Sequence, residues 1–148
     1  MEGGSVIKVT QISNGEIKGL GTGTLVWPAA HVLSKYFEKR FFTCSSLQNK
    51  RVCDIGSGTG ITGFVAATLG ATVVLTDQEC ILPLLEENTQ HFYDNFPALV
   101  KEQVTVKNYE WGTDISHLGL PFDYVLVSDC VLPKLYPIDI LVKVVYCI

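Results

Sequence analysis

Basic residues are scarce in this chain, and they form no cluster. Its 148 residues include 11 Lys and Arg against 15 Asp and Glu, for a formal net charge of −4. A protein that binds nucleic acid needs a surplus of cations to neutralise phosphates. We therefore expect no nucleic-acid partner.

Paired cysteines and a long apolar run are also missing. The five cysteines form no Cys-x-x-Cys pair, which argues against a disulfide framework. An acid and two glycines occupy residues 1–4, where a signal region would be apolar, and Asp139 and Lys143 interrupt the apolar C-terminal stretch. We expect one domain over residues 1–148, reduced thiols, a location in the cytosol or nucleus, and no membrane partner.

Motifs for metal binding and covalent catalysis are absent as well. The histidines His31, His91 and His117 are far apart and have no ligand spacing. No Gly-x-Ser-x-Gly motif presents a nucleophile. Cys130 has no neighbour in sequence that would activate its thiol, so we interpret it as a packing residue. We predict neither a metal site nor a covalent intermediate.

What the chain does contain is an alternation of strands and helices. The predicted strands are 51–55, 71–76, 104–106 and 122–128, and the predicted helices are 28–41, 60–69, 79–92 and one from Pro137. Such alternation is typical of βαβ units and a buried parallel sheet. Before it, Val6–Ile12 is rich in β-branched residues and Asn14-Gly15 is a turn signal, so we predict a β-hairpin within an N-terminal β extension, residues 1–24.

The segment Asp54–Gly60 joins the first strand to its helix and carries three glycines. Glycines at such a turn let the backbone approach a ligand closely. A dinucleotide fingerprint needs a further glycine where Ile61 stands, whereas an acidic strand end followed by Gly-x-Gly-x-Gly favours S-adenosyl-L-methionine. We predict that Asp54, Gly56, Ser57 and Gly58 bind this cofactor; the alternative is a tight turn with no ligand.

Two residues at later strand ends fit the same adenosine cofactor. Asp77 ends the second strand, where a carboxylate can accept hydrogen bonds from the two ribose hydroxyls. Trp111 follows the third strand, and its indole could cover an adenine ring or belong to the core. We predict both as cofactor-binding residues.

Several motifs together resemble the class I protein-lysine methyltransferases of methyltransferase family 16. The matching stretches are Gly23–Ala30, Asp54–Gly60, Ala66–Ala71, Thr76-Asp77, Trp111-Gly112 and Ser128–Cys130. The resemblance implies a Rossmann-like fold, S-adenosyl-L-methionine as cofactor and a protein lysine as substrate.

The resemblance also implies a role for individual residues. Trp27 and Gly56–Gly58 would contact the methionine part of the cofactor, Asp77 the ribose and Trp111 the adenine, while Ser128 would lie beside the site. Asp129 begins the family's Asp-x-x-Tyr motif at the substrate lysine, which makes it the candidate catalytic residue. Here the motif reads Asp129-Cys130-Val131-Leu132, and the nearest tyrosine is Tyr136. Asp129 could also serve as a loop or helix-cap acid.

The family's sheet has the strand order 3-2-1-4-5-7-6, and this chain supplies the first four strands. We therefore expect the order 3-2-1-4, with helices on both faces. We also expect a domain that stops before it is complete, with strand 4 as an unpaired apolar edge prone to self-association. On its own it would have little activity.

These observations favour a protein-lysine methyltransferase that needs no covalent step, only a neutral amine held in line with the sulfonium methyl group. Two alternatives stay open at this point. One is a catalytically silent fragment that binds cofactor or a partner, and the other is a small-molecule methyltransferase on the same fold.

Overall fold

A computed structural model of the chain describes residues 6–41, 47–131 and 136–148. At its centre is a parallel sheet of order β3-β2-β1-β4. The strands are β1 (Arg51–Ile55), β2 (Thr72–Asp77), β3 (Val104–Asn108) and β4 (Tyr124–Val127). The predicted α/β class and strand order are confirmed. β3 runs two residues beyond its prediction because its pairing with β2 continues to Asp77 opposite Asn108.

The predicted helices are also present. They are α1 (Pro28–Phe41), α2 (Ile61–Thr68), α3 (Leu82–Asn95) and α4 (Ile138–Cys147). Pro28 begins α1, where its missing N–H costs no hydrogen bond. α3 begins three residues later than predicted because Gln78–Ile81 forms a turn, closed by the Ile81 N–H on the Gln78 carbonyl at 2.9 Å. Pro83 then occupies the first turn of the helix.

The helices cover both faces of the sheet, as predicted. On one face, α1, α2 and α3 bury a core that includes Phe37, Phe64 and Phe92. The Phe64 and Phe92 rings stack with centroids 4.6 Å apart. On the other face, α4 contributes Leu141 and Val144 to a second cluster around Cys53 and Ile55. Both faces of β1 are therefore buried, as its apolar sequence requires.

The predicted N-terminal β-hairpin is wrong. Residues 6–12 pair with no strand in the described part of the chain, and residues 13–19 form consecutive turns. Thr10 instead binds the side chain of Asn88, a fully buried residue of α3, through its backbone N–H (2.6 Å) and carbonyl (3.0 Å). The Ile12 N–H donates to the Thr24 carbonyl at 3.0 Å. These contacts satisfy the backbone of the segment without a partner strand.

Some sequence expectations concern features outside the sheet. No helix in residues 6–41, 47–131 and 136–148 is long and apolar enough to cross a membrane. The same ranges contain no group of three or more His, Cys, Asp or Glu that could hold a metal. All four cysteines that the structure describes are free thiols: Cys53, Cys80, Cys130 and Cys147.

Candidate functional site

The carboxyl ends of the parallel strands open into a cavity of about 660 Å³. Its walls come from the N-terminal segment, the loop after β1, the residues that follow β2, β3 and β4, and the start of α4. In open α/β sheets this is the end at which ligands bind. The volume lies in the range of small-molecule sites, about 300 to 1,000 Å³.

The glycine loop after β1 forms one wall and requires its glycines. Gly56 and Gly58 have φ of 65° and 55°, in the left-handed region that side chains disfavour. A Cβ atom on Gly58 would lie 2.8 Å from the Gly23 carbonyl oxygen, and one on Gly56 would lie 2.9 Å from Cys130 Sγ. The loop therefore brings bare backbone to the cavity surface.

Ser57 holds this loop against the end of β2. Its hydroxyl donates to the Asp54 carbonyl and accepts from the Thr76 N–H, both at 2.9 Å. Its own N–H donates to the Thr76 carbonyl at 2.9 Å. Ser57 lines the cavity, but its side chain is occupied in fixing the loop.

Asp77 also lines the cavity and binds the glycine loop. Its Oδ2 accepts the Gly58 N–H at 2.8 Å, and its Oδ1 accepts the Gln78 N–H at 2.8 Å. Burial raises the pKa of this carboxyl, and the two N–H groups counteract the rise. Each oxygen keeps a further lone pair that a ligand hydroxyl could use. The sequence prediction had not included the loop-binding role.

Asp54 differs from the predicted contacts because it does not line the cavity. The residue is 1% exposed, and neither carboxylate oxygen makes a hydrogen bond of normal geometry to a described residue. Burial raises the pKa of Asp54 to about 7, although the facing Thr62 hydroxyl and Gly63 N–H lower it in part. Its carboxyl lies beneath the loop, close to Gly63, where a Cβ atom would be 3.3 Å from Oδ2.

Four aromatic residues line the cavity, and three of them, Trp27, Trp111 and Tyr136, are linked by contacts with one another or with Thr22. Trp111 lies over the glycine loop, with Cζ2 3.6 Å from where a Gly56 Cβ would be. Its ring centroid is 5.7 Å from that of Tyr136. Thr22 links Trp27 to Tyr136. Its carbonyl accepts the Trp27 Nε1–H at 2.9 Å, and its hydroxyl hydrogen-bonds to the Tyr136 hydroxyl. Both predicted tryptophans therefore border the cavity.

Ser128, Asp129 and Cys130 follow β4 and line the cavity together. Asp129 has φ of 55°, and its Oδ2 accepts the Ala29 N–H of α1 at 2.7 Å. It therefore caps a helix and borders the cavity at once. The Ser128 hydroxyl is buried with no hydrogen-bond partner among the described residues. Burial raises the pKa of Cys130 to about 12, so this thiol stays protonated near neutral pH. Leu132 of the Asp-x-x-Tyr motif lies outside the described residues.

The charged side chains on the cavity wall are all acidic. They are Glu16, Asp77, Glu110 and Asp129, and no Lys, Arg or His joins them among the described lining residues. Such a cavity favours a cationic ligand.

Sequence reasoning missed several wall residues, of which Tyr109 is the clearest. Tyr109 is 2% exposed, and its hydroxyl makes no hydrogen bond of normal geometry in the described part of the chain. It directly follows β3, so its position at a strand end was a usable signal. Glu16 carries no such signal, because its place on the wall depends on how residues 13–25 fold over the sheet.

Comparison with known proteins gives a consistent family. The family model described as lysine methyltransferase, methyltransferase family 16, matches residues 8–146. Protein N-lysine methyltransferase METTL21A of Xenopus tropicalis is 36% identical over 114 residues, which is 77% of this chain and 50% of that protein. The METTL21A protein of Danio rerio is 37% identical over 115 residues, again 77% of this chain and 50% of the relative.

A relative with a different name also matches about three quarters of the chain. Protein-lysine methyltransferase METTL21E of Bos taurus is 35% identical over 113 residues, or 74% of this chain and 38% of that protein. The chain spans about half the length, or less, of these relatives. The family match covers nearly every residue described above, including the glycine loop and Asp129. The chain therefore belongs to the lysine methyltransferase family.

Proposed function

We propose that this chain binds S-adenosyl-L-methionine and that the protein to which it belongs transfers the methyl group to a lysine side chain of a protein substrate. The observation that carries the proposal is the meeting of the glycine loop and Asp77 at the carboxyl ends of β1 and β2. Glycines let the loop backbone approach a ligand closely, and a carboxylate at the next strand end can accept hydrogen bonds from the ribose hydroxyls of an adenosine cofactor.

Three further features of the wall fit this cofactor. The side-chain hydroxyl of Ser128 is buried with no partner among the described residues and would gain a hydrogen bond from a polar ligand. The acidic wall suits a molecule that carries a sulfonium and an ammonium group. Trp111 offers an aromatic surface of the kind that adenine packs against.

Different residues of the cavity wall would bind different parts of the cofactor. Asp77 would accept hydrogen bonds from ribose hydroxyls, Trp111 would cover the adenine, and the backbone of Gly56–Gly58 with Trp27 would hold the methionine part. When bound, the cofactor supplies a methyl group activated by the positive sulfur. The chain's own part is to orient it and to keep water away.

Asp129 would bind the substrate amine. A lysine with a reference pKa of about 10.4 is neutral in only about one molecule per thousand near pH 7.4. The site must therefore release a proton to solvent before the nitrogen forms its bond to the methyl carbon. As that bond forms, the carbon–sulfur bond breaks and its electron pair returns to sulfur. A carboxylate at this place binds and aims the amine, but it also stabilises the ammonium form.

The relatives support lysine as the acceptor, since METTL21A and METTL21E are both named as lysine methyltransferases. The cysteines that are free thiols support a reducing compartment, so we propose the cytosol or nucleus as the place of action.

Calorimetric titration tests the cofactor part of this proposal. We expect S-adenosyl-L-methionine to bind the 148-residue chain and NAD not to bind. We expect Asp77→Ala to weaken binding and Asp94→Ala, an exposed site on α3, to leave it unchanged. Equal binding of NAD, or identical affinities for wild type and Asp77→Ala, would contradict the assignment.

The substrate part is tested by incubating the protein with methyl-labelled cofactor and a cell extract. Label on a lysine of a protein, located by mass spectrometry, supports the proposal. Label on a small metabolite would instead indicate a small-molecule methyltransferase. Cofactor binding with no label transferred would indicate a binding fragment without activity of its own.

A further inference from the structure

Asp129 is tied to the start of α1 by one backbone hydrogen bond. Its Oδ2 lies 2.7 Å from the N atom of Ala29, 100 residues away in sequence. Ala29 is the second residue of α1, so its N–H has no partner inside the helix. Asp129 is exposed and lines the cavity, so its carboxylate is open to a ligand on the cavity side.

This bond has an electrostatic consequence. The N-terminus of a helix carries about half a positive elementary charge, which stabilises a nearby anion. The charge that Asp129 presents to the cavity is therefore partly offset.

The partial offset of the Asp129 charge matters because the other charged groups on the described cavity wall are carboxylates, which favour the protonated form of an amine. Among the described residues, the titratable groups that line the same cavity with Asp129 are the carboxylates of Glu16, Asp77 and Glu110, the phenols of Tyr109 and Tyr136 and the thiol of Cys130. No cation among the described lining residues counters the carboxylates. A fully uncompensated Asp129 would add to their hold on an ammonium ion.

We propose that the backbone N–H of Ala29 is the positioning group for Asp129: it fixes one carboxylate oxygen and offsets part of the charge, so that a lysine amine can bind there and still lose its proton. The inference rests on the proposed function. It adds that the Ala29 N–H lets Asp129 bind a lysine amine without holding it in the protonated form.

The bond can be removed without touching Asp129. Ala29→Pro deletes the N–H within the first helical turn, where proline is tolerated. A proline at position 29 also disfavours the helical conformation of Pro28 before it. The second variant therefore replaces Ala29 by lactic acid, because the resulting ester removes the same N–H without adding a ring. Ala29→Gly keeps the N–H and is the conservative variant.

The first readout is the pH dependence of kcat on a short synthetic peptide centred on the lysine that the extract experiment identifies. We expect the midpoint of the rising limb to move up by roughly half a unit in Ala29→Pro and in the ester, which lowers kcat at pH 7 about threefold. Ala29→Gly should keep the wild-type midpoint. Asp129→Asn should move it down and raise the KM for peptide, and in the double variant the Ala29→Pro shift should vanish.

The second readout does not depend on turnover. The bound amine is titrated by NMR of a ¹³Cε-labelled lysine in the same peptide, in the complex with S-adenosylhomocysteine. Its pKa should rise in the ester and fall in Asp129→Asn. If the kcat and amine-titration midpoints are unchanged in both Ala29→Pro and the ester, and circular dichroism shows that both variants are folded, this inference is overturned while the proposed function stands. Failure of the wild type to methylate any lysine, with S-adenosyl-L-methionine still bound, would leave the cofactor-binding part of the proposed function standing and would overturn the methyl-transfer part and this inference with it.

Discussion

Asp54 allows a test of how a buried carboxyl makes the stability of this fold depend on pH. Its carboxyl is buried beneath the glycine loop, and burial raises its pKa from 3.8 to about 7. Asp54→Asn replaces the carboxyl by a group of nearly the same shape that does not titrate. The side chain does not line the cavity, so the substitution acts on stability rather than on the wall of the site.

The sign of the pH effect follows from the direction of the shift. A carboxyl with a raised pKa in the folded state binds its proton more tightly there than in the unfolded chain. Its contribution to stability is therefore complete below about pH 4 and is lost as the pH rises to about 7. A change from 3.8 to about 7 corresponds to about 4 kcal/mol at most, since one pKa unit is worth about 1.4 kcal/mol.

We expect the free energy of unfolding of wild type, relative to that of Asp54→Asn, to fall by up to this amount between pH 4 and pH 8. In a chain of this size about 4 kcal/mol corresponds to roughly 10 °C in Tm. Urea unfolding of both proteins at pH 4, 6 and 8 measures the difference, and Asp94→Asn, which is exposed, controls for a general effect of charge. A constant difference between wild type and Asp54→Asn across this range would refute the argument.

Three further substitutions test other parts of the structure. Asp77→Ala should weaken cofactor binding by about 1 to 3 kcal/mol by calorimetry and also lower Tm, because the Gly58 N–H loses its acceptor; an unchanged Tm would show that this bond adds nothing. Gly63→Ala should destabilise by about 1 to 3 kcal/mol in urea, since its Cβ would lie 2.2 Å from Leu75 Cδ2; wild-type stability would mean that α2 shifts freely. Self-association through β4 stays a prediction, because the other edge of this strand has no partner strand among the described residues; we expect Tyr124→Lys to reduce it, and light scattering equal to that of wild type would place any association elsewhere.

The sequence by itself was sufficient for the elements whose signals are local. The apolar run before the glycines marks β1 because a buried parallel strand needs side chains that suit both faces. Pro28 marks the start of α1, and the glycines after β1 mark the tight turn. Since βαβ units have one hand and strand ends meet at one edge, Asp77 and Trp111 could be assigned to the same site before any coordinates.

Local signals misled where pairing depends on a distant neighbour. Residues 6–12 have strand composition and Asn14-Gly15 a turn signal, yet a hairpin forms only if both arms find each other. Here Asn88 of α3 offers Thr10 both a donor and an acceptor, and that competing contact decides the outcome. Nothing in the first 24 residues indicates a partner that lies 78 positions away.

The tertiary structure also decided what the individual acids do. Asp54, Asp77 and Asp129 all stand at strand ends in the sequence, but only the packing of α2 buries Asp54, and only the approach of α1 brings the Ala29 N–H to Asp129. Type and spacing of residues determine where such groups can lie along the chain. Burial, hydrogen bonding and the charges of neighbours determine their pKa and their role, and these arise only when segments far apart in sequence come into contact.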